Sequence, residues 1–171
     1  FRDAMSEVGR LFEVKEYYLP ELIMAGEMLK IGSEKVKPFI KSESDTSEKK
    51  GKVIIATVAG DVHDIGKDIV TMMLDLNGYD VLDLGVDVPV QKVVDAARDF
   101  KPSVIGLSGF LTLAYDPMKD TIAAVKNENI GDVKFMIGGG QMDEQVRDYV
   151  GADAYGKDAM SAVTLCNEWI L

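Results

Sequence analysis

Residues 53–70 read VIIATVAGDVHDIGKDIV, and the stretch changes character twice. Val53 to Val58 is a nearly unbroken run of apolar and β-branched residues, the composition of a strand covered on both faces. Gly60-Asp61-Val62-His63-Asp64-Ile65-Gly66 is polar and bounded by glycines, which marks a loop. After Gly66 the chain resumes with helical spacing. Strand, loop and helix in that order form the repeating unit of a parallel sheet. His63 is the only histidine in 171 residues, and it stands between two aspartates at the corner between strand and helix.

The same alternation continues to the end of the chain. Strand-type runs are expected at 52–58, 81–84, 103–108, 133–138 and, briefly, 153–155. Helical stretches fall between and after them, at about 66–77, 90–100, 116–128, 141–149 and 157–170. Five strands alternating with five helices imply an α/β fold, a five-stranded parallel sheet with flanking helices of the flavodoxin-like (Rossmann-type) kind. Ligands of such sheets bind beyond the carboxyl ends of the strands. The loops at that edge are 59–66, 85–89, 109–115, 138–141 and 155–157, and the glycines gather there.

Upstream the pattern differs. Met5, Val8, Leu11 and Phe12 recur at helical spacing, as do Leu22, Ile23, Met28, Leu29 and Ile31. Pro20 suits the first turn of a helix, where its missing N–H costs nothing. Two helices are expected, at about 1–13 and 19–40, and two alone cannot close a bundle. Residues 41–51, KSESDTSEKKG, have no apolar member and read as a linker. The expected organisation is a helical cap segment at 1–40, a linker at 41–51 and an α/β domain at 52–171. Phe1 is not a start residue, and the cap is expected to lack its first helices.

Composition narrows the partners. Nineteen basic against 29 acidic residues give a net charge of −10 with no basic block, which argues against nucleic acid. The apolar runs are much shorter than the roughly 18–20 residues that span a bilayer, and no signal-peptide pattern opens the sequence, so no membrane and a cytoplasmic location are expected. Cys166 is the only cysteine. An internal disulfide and a multi-cysteine metal cluster are therefore excluded.

What remains is the chemistry of one imidazole. Asp61, two residues before His63, is placed to accept a hydrogen bond from one ring nitrogen, fixing the tautomer and raising the basicity of the other. That suits a general base or a metal ligand. Ser108 follows a buried strand without the G-x-S-x-G elbow that exposes a nucleophilic serine. Zinc wants three or four protein ligands, which the sequence does not group. A phosphate cradle at Gly138-Gly139-Gly140 is weakly signalled, and Walker A and G-x-G-x-x-G patterns are absent. A single imidazole does suit a metal held in a macrocycle that brings its own equatorial nitrogens.

GDVHDIG at 60–66, Ser108 in "SGF", and the glycines of 138–140 resemble the D-x-H-x-x-G, S-x-L and G-G signature of cobalamin (vitamin B12)-binding domains. Forty-one residues separate Gly66 from Ser108 and 27 lie between Phe110 and Gly138, in register with that family. Phe110 departs from the pattern, standing where leucine is expected. EVGRLFEVKEYYLPELIMAGEMLK, residues 7–30, is similar to the helical cap of corrinoid proteins of methyltransferase systems and of the cobalamin module of methionine synthase.

The resemblance implies that His63 is the lower axial ligand of cobalt, with Asp61 behind it and Ser108 extending the relay. It implies a slot for the displaced nucleotide tail, given room by Gly60, Gly66, Gly138, Gly139, Gly140 and Gly156, with Ser108 and Thr112 bonding the tail and Leu107 and Tyr155 as apolar walls, and it places Val62, Asp64 and Ile65 among the cofactor-binding residues. Phe12 and Leu19 would cover the upper face. The implied cofactor is cobalamin, cycling between methylcobalamin and the Co(I) corrinoid. The implied partners are a substrate-specific methyltransferase, an acceptor methyltransferase (using tetrahydrofolate or a thiol) and a reductive activase. SGFLTLAYDPMK, residues 108–119, suggests O-demethylation of methyl ethers as the methyl source. Alternatives are the cobalamin-binding part of an adenosylcobalamin-dependent mutase, which generally lacks the cap, and a B12-binding sensor, which would carry an output domain.

Overall fold

The computed structural model describes residues 2–36, 49–128, 130–140 and 142–170. Two helices come first, α1 (Arg2–Glu13) and α2 (Leu19–Val36). Then follow β1 (Lys52–Thr57), α3 (Ile65–Leu76), β2 (Asp80–Asp83), α4 (Val90–Phe100), β3 (Val104–Gly109), α5 (Tyr115–Asn127), β4 (Lys134–Gly139), α6 (Glu144–Val150), β5 (Ala154–Tyr155) and α7 (Ala159–Ile170). The order matches the sequence expectation, and element ends move by a few residues at most. Two differences stand out. A 3₁₀ turn at Thr112–Ala114 precedes α5, and the linker residues 41–48, with 37–40 of the expected second helix, lie outside the described residues.

The strands form one parallel sheet in the order β2-β1-β3-β4-β5. β1 pairs with β2 on one side and β3 on the other, so the chain reverses its winding between β1 and β3. That reversal opens a crevice at the carboxyl ends of these two strands. Two-residue periodicity sends alternate side chains to opposite faces. Ile54, Ala56, Val58, Ile105, Leu107, Phe135 and Ile137 enter the core under α4, α5 and α6. Val53, Ile55, Val104 and Met136 face α3 and α7. Burial on both faces is why these strands are short and almost wholly apolar.

α1 and α2 join the second of these cores. Leu22 is fully buried, and Val8 and Phe12 pack against the same cluster as Met73, Met160 and Ala162. A Cβ on Gly9 would stand 2.9 Å from the sulfur of Met160, so the small residue allows α1 to lie close to α7. Much of the helical pair stays uncovered, with Tyr18, Met24 and Met28 largely exposed.

Candidate functional site

The β1–α3 loop is fixed at several points. Thr57, the last residue of β1, is buried, and its hydroxyl donates to the His63 carbonyl at 3.0 Å. Gly60 turns the chain with φ +80°, and its amide donates to the Asp87 carboxylate at 2.7 Å. The Asp87 amide returns a bond to the Asp61 carbonyl at 2.9 Å. The loop after β2 therefore holds the loop after β1 from one side.

Asp61 is the centre of the arrangement and is only 3% exposed. Its Oδ1 accepts from the His63 amide at 3.0 Å and lies 2.6 Å from His63 Nδ1. Its Oδ2 accepts from the amides of Phe110 at 2.7 Å and Leu111 at 3.4 Å. Burial works to raise the Asp61 pKa, but the His63 and Phe110 amides, the His63 ring and the Leu111 amide together hold it down at about 2. An ionised carboxylate can only accept, so Nδ1 carries a proton, and in the neutral ring the lone pair lies on Nε2. The His63 side chain is half exposed. Its ring lies 4.6 Å from the Phe110 ring, tilted by 31°.

Behind this loop a cavity of about 200 Å³ opens between the sheet and helices α3 and α7. Gly66, Leu107, Ser108, Gly138, Gly139 and Gly156 border it, as expected from the sequence. Ile55, Lys67, Val70, Gly106, Met136, Lys157, Asp158, Ala159 and Ala162 border it too and were not expected. Small residues make the space. A Cβ on Gly138 would meet nothing nearer than the Gly156 carbonyl at 3.9 Å, whereas one on Gly106 would stand 2.6 Å from Ile55 Cδ1. Gly106 was legible as the glycine inside an apolar strand, a sign that something approaches closely. Lys67 is buried on this wall, with its ammonium between Asp68 and Asp83. Burial alone would lower its pKa, but the two carboxylates raise it, so it remains a cation.

The other expected residues lie elsewhere. Asp64 precedes α3, and Val62 and Ile65 point largely into solvent beside His63. Thr112 opens the 3₁₀ turn. Tyr155 packs with the core under α4, α5 and α6, on the opposite side of the sheet from α3 and α7. Gly140 contacts the backbone of Phe110 and does not border the cavity. Both Asp61 oxygens are engaged by His63 and by the Phe110 and Leu111 amides, and Ser108 stands on the cavity wall. Phe12 packs into the core beneath α1, and the Leu19 side chain lies outside the described residues.

Among the described residues no three His, Cys, Asp or Glu side chains converge to hold a metal. A metal at Nε2 would need its other ligands from a carrier. The cavity behind the loop is lined mostly by small and apolar residues, with Lys67, Ser108, Lys157 and Asp158 among them, and has room for an appendage of that carrier. A lone imidazole beside such a slot is compatible with a metal carried in a macrocycle that brings its own equatorial ligands. The fold and the site are those of a cofactor-binding α/β domain.

Comparison with known proteins agrees. The B12 binding domain family matches residues 51–164, and a second family of the same description matches 1–37. The chain belongs to the B12-binding domain family, and its cofactor is a corrinoid. It is 39% identical to dimethylamine corrinoid protein 1 of Methanosarcina acetivorans over 96% of this chain and 77% of that one. Its fold matches a cobalamin-binding protein from Desulfitobacterium hafniense with a TM-score of 0.82 and 41% identity, over 100% of this chain and 80% of that one. It also matches a chain of the methanol:cobalamin methyltransferase complex of Methanosarcina barkeri with a TM-score of 0.85 and 31% identity, over 97% and 63% of the two chains.

Proposed function

We propose that this chain is a corrinoid methyl carrier in which His63 Nε2 is the protein ligand to cobalt. When bound, the corrinoid supplies a cobalt centre that takes up a methyl group and passes it on. The protein's residues orient and support that centre. Asp61 keeps the proton on Nδ1, so Nε2 presents an electron pair and the carboxylate strengthens its donation. Gly66, Ser108, Gly138 and Gly156 frame the slot that would receive the displaced base, with Gly106 keeping its floor low. Val62 and Ile65 supply an apolar rim beside His63 that would keep water from the ring face. Segment 1–40 is read as the cap of this unit, joined by 41–51 to the cofactor-binding part at 52–171.

The observation that carries this reading is the 2.6 Å contact between the buried Asp61 carboxylate and Nδ1 of the only histidine. The partners would be a methyltransferase that loads the carrier, a second that unloads it to an acceptor such as tetrahydrofolate, and a reductive activase. The location would be cytoplasmic; no helix among the described residues is long and apolar enough to cross a membrane. The relatives named for dimethylamine and methanol make methylamines and methanol the first donors to assay, ahead of the methyl ethers suggested by the sequence. The test is to load wild type and His63→Ala with cobalamin, wash, and compare absorption spectra. Wild type is expected to retain a corrinoid with its own base displaced, and the variant to lose the imidazole-ligated spectrum. A folded wild-type protein that washes colourless would refute the reading.

A further inference from the structure

We propose that Phe110 is a positioning residue for His63, and that Gly140 acts on His63 through it. Phe110 reaches the histidine by two routes. Its amide donates to Asp61 Oδ2 at 2.7 Å, while Asp61 Oδ1 holds His63 Nδ1 at 2.6 Å. Its ring lies 4.6 Å from the imidazole, close enough for direct packing. One residue therefore sets both the carboxylate that fixes the tautomer and the surface against which the ring rests.

The β4 turn determines where Phe110 sits. Gly140 donates its amide to the Gly109 carbonyl at 3.0 Å, and a Cβ on Gly140 would stand 2.3 Å from the Phe110 carbonyl oxygen. Gly139 is equally close, with a Cβ falling 2.2 Å from the Gly109 carbonyl oxygen. These approaches are to backbone, which cannot swing aside as a side chain can. The pair of glycines thus lets the β4 turn pack directly on the β3 turn. That contact delivers the Phe110 amide to Asp61. Gly140 bears on the metal-ligating face of the site without touching the slot.

The inference rests on the reading of His63 as cobalt ligand for its consequence but not for its test, which uses the protein without cofactor. Because His63 is the only histidine, ¹⁵N-histidine labelling gives one imidazole spectrum. Wild type is expected to show a pyrrole-type Nδ1, a pyridine-type Nε2, and a ring-to-ring NOE between His63 and Phe110. Phe110 is 55% exposed, so Phe110→Leu should fold. It should keep the tautomer, held through an amide it retains, lose the ring-current displacement of the His63 carbon-bound protons, and loosen the imidazole in ¹⁵N relaxation. Phe110→Tyr should restore both. Gly140→Ala should push the β3 turn away and convert the single tautomer into a mixture of the two. Absence of the NOE in wild type would overturn the proposal, as would a Phe110→Leu spectrum identical to wild type. A folded Gly140→Ala protein with an unchanged Nδ1–H signature would remove Gly140 from it. These outcomes are separable from failure of the functional reading, because a protein that does not bind cobalamin can still give every one of these spectra.

Discussion

The loop that carries His63 is held by charge and directed hydrogen bonds, whereas the cavity behind it is held open by shape. In the loop, one buried carboxylate collects three amides and a ring nitrogen. In the cavity, glycines and alanines line the space, and a Cβ on Gly106 would already meet Ile55 and Met136. A metal ligand must point in one direction with one tautomer; the hydrogen bond to Asp61 fixes the tautomer, and the Phe110 ring beside the imidazole adds to its orientation. A slot for a flat appendage needs volume, and small residues provide it. Substitutions in the two regions should therefore fail differently: loop variants by destabilising and disorienting, cavity variants by excluding the cofactor.

The largest stability loss is expected from Asp61→Ala, which leaves three amides without their charged acceptor. The cost should be about 3 kcal/mol, read as a lower urea midpoint of the cofactor-free protein. Gly106→Val is the exception that tests the division, because its side chain would overlap Ile55 and Met136. It should cost about 1–3 kcal/mol and also abolish cobalamin retention.

Acid provides the next test. The Asp61 pKa is depressed from 3.8 to about 2 in the folded protein. A depressed carboxylate stabilises the fold at pH values above its unfolded pKa, and that contribution fades as the pH falls through the folded one. Between roughly pH 4 and pH 2 the cofactor-free protein should lose about 2 kcal/mol that Asp61→Asn does not lose. Parallel acid profiles of the two proteins would contradict the assignment.

Smaller stability effects should come with larger binding effects in the cavity. Gly138→Leu has open space to enter, so its unfolding midpoint should stay near wild type while cobalamin affinity falls roughly tenfold or more. At the rim, Val62→Ser should change stability by no more than about 0.5 kcal/mol, because Val62 is 68% exposed. Its effect should appear only in titrations with the corrinoid. If Gly138→Leu unfolded the protein or left binding unchanged, shape would not be what governs the cavity.

The two regions also differed in how legible they were. The sheet could be read from the apolar runs, because burial on both faces leaves no other composition open to a strand such as Val53–Thr57. The Asp61–His63 pair was readable from two-residue spacing at a strand end. What Asp61 does with its second oxygen was not readable. The Phe110 and Leu111 amides come from a turn about fifty residues away, and the sequence reading gave that place to Ser108. The expected role of Gly138–Gly140 divides in space. Gly138 borders the cavity, Gly139 borders it while pressing on Gly109, and Gly140 serves contact with the β3 turn. Motif spacing cannot separate these roles, since a missing side chain reads the same whether it makes room for a ligand or for a neighbouring backbone. Tyr155 was misplaced for a related reason: a two-residue strand is too short for alternation to reveal which face a side chain takes. Ala159 and Ala162 line the cavity only because α7 folds back against α3, a packing that no local pattern announces.

The central claim is that the only histidine, braced by Asp61, ligates cobalt through Nε2. Electron paramagnetic resonance of the Co(II) corrinoid bound to protein containing ¹⁵N-histidine tests it most directly. The account predicts superhyperfine splitting from one ¹⁵N nucleus, two lines in place of the three given by ¹⁴N, and its loss in His63→Ala. A bound Co(II) corrinoid whose spectrum is the same with ¹⁴N and ¹⁵N histidine would contradict it.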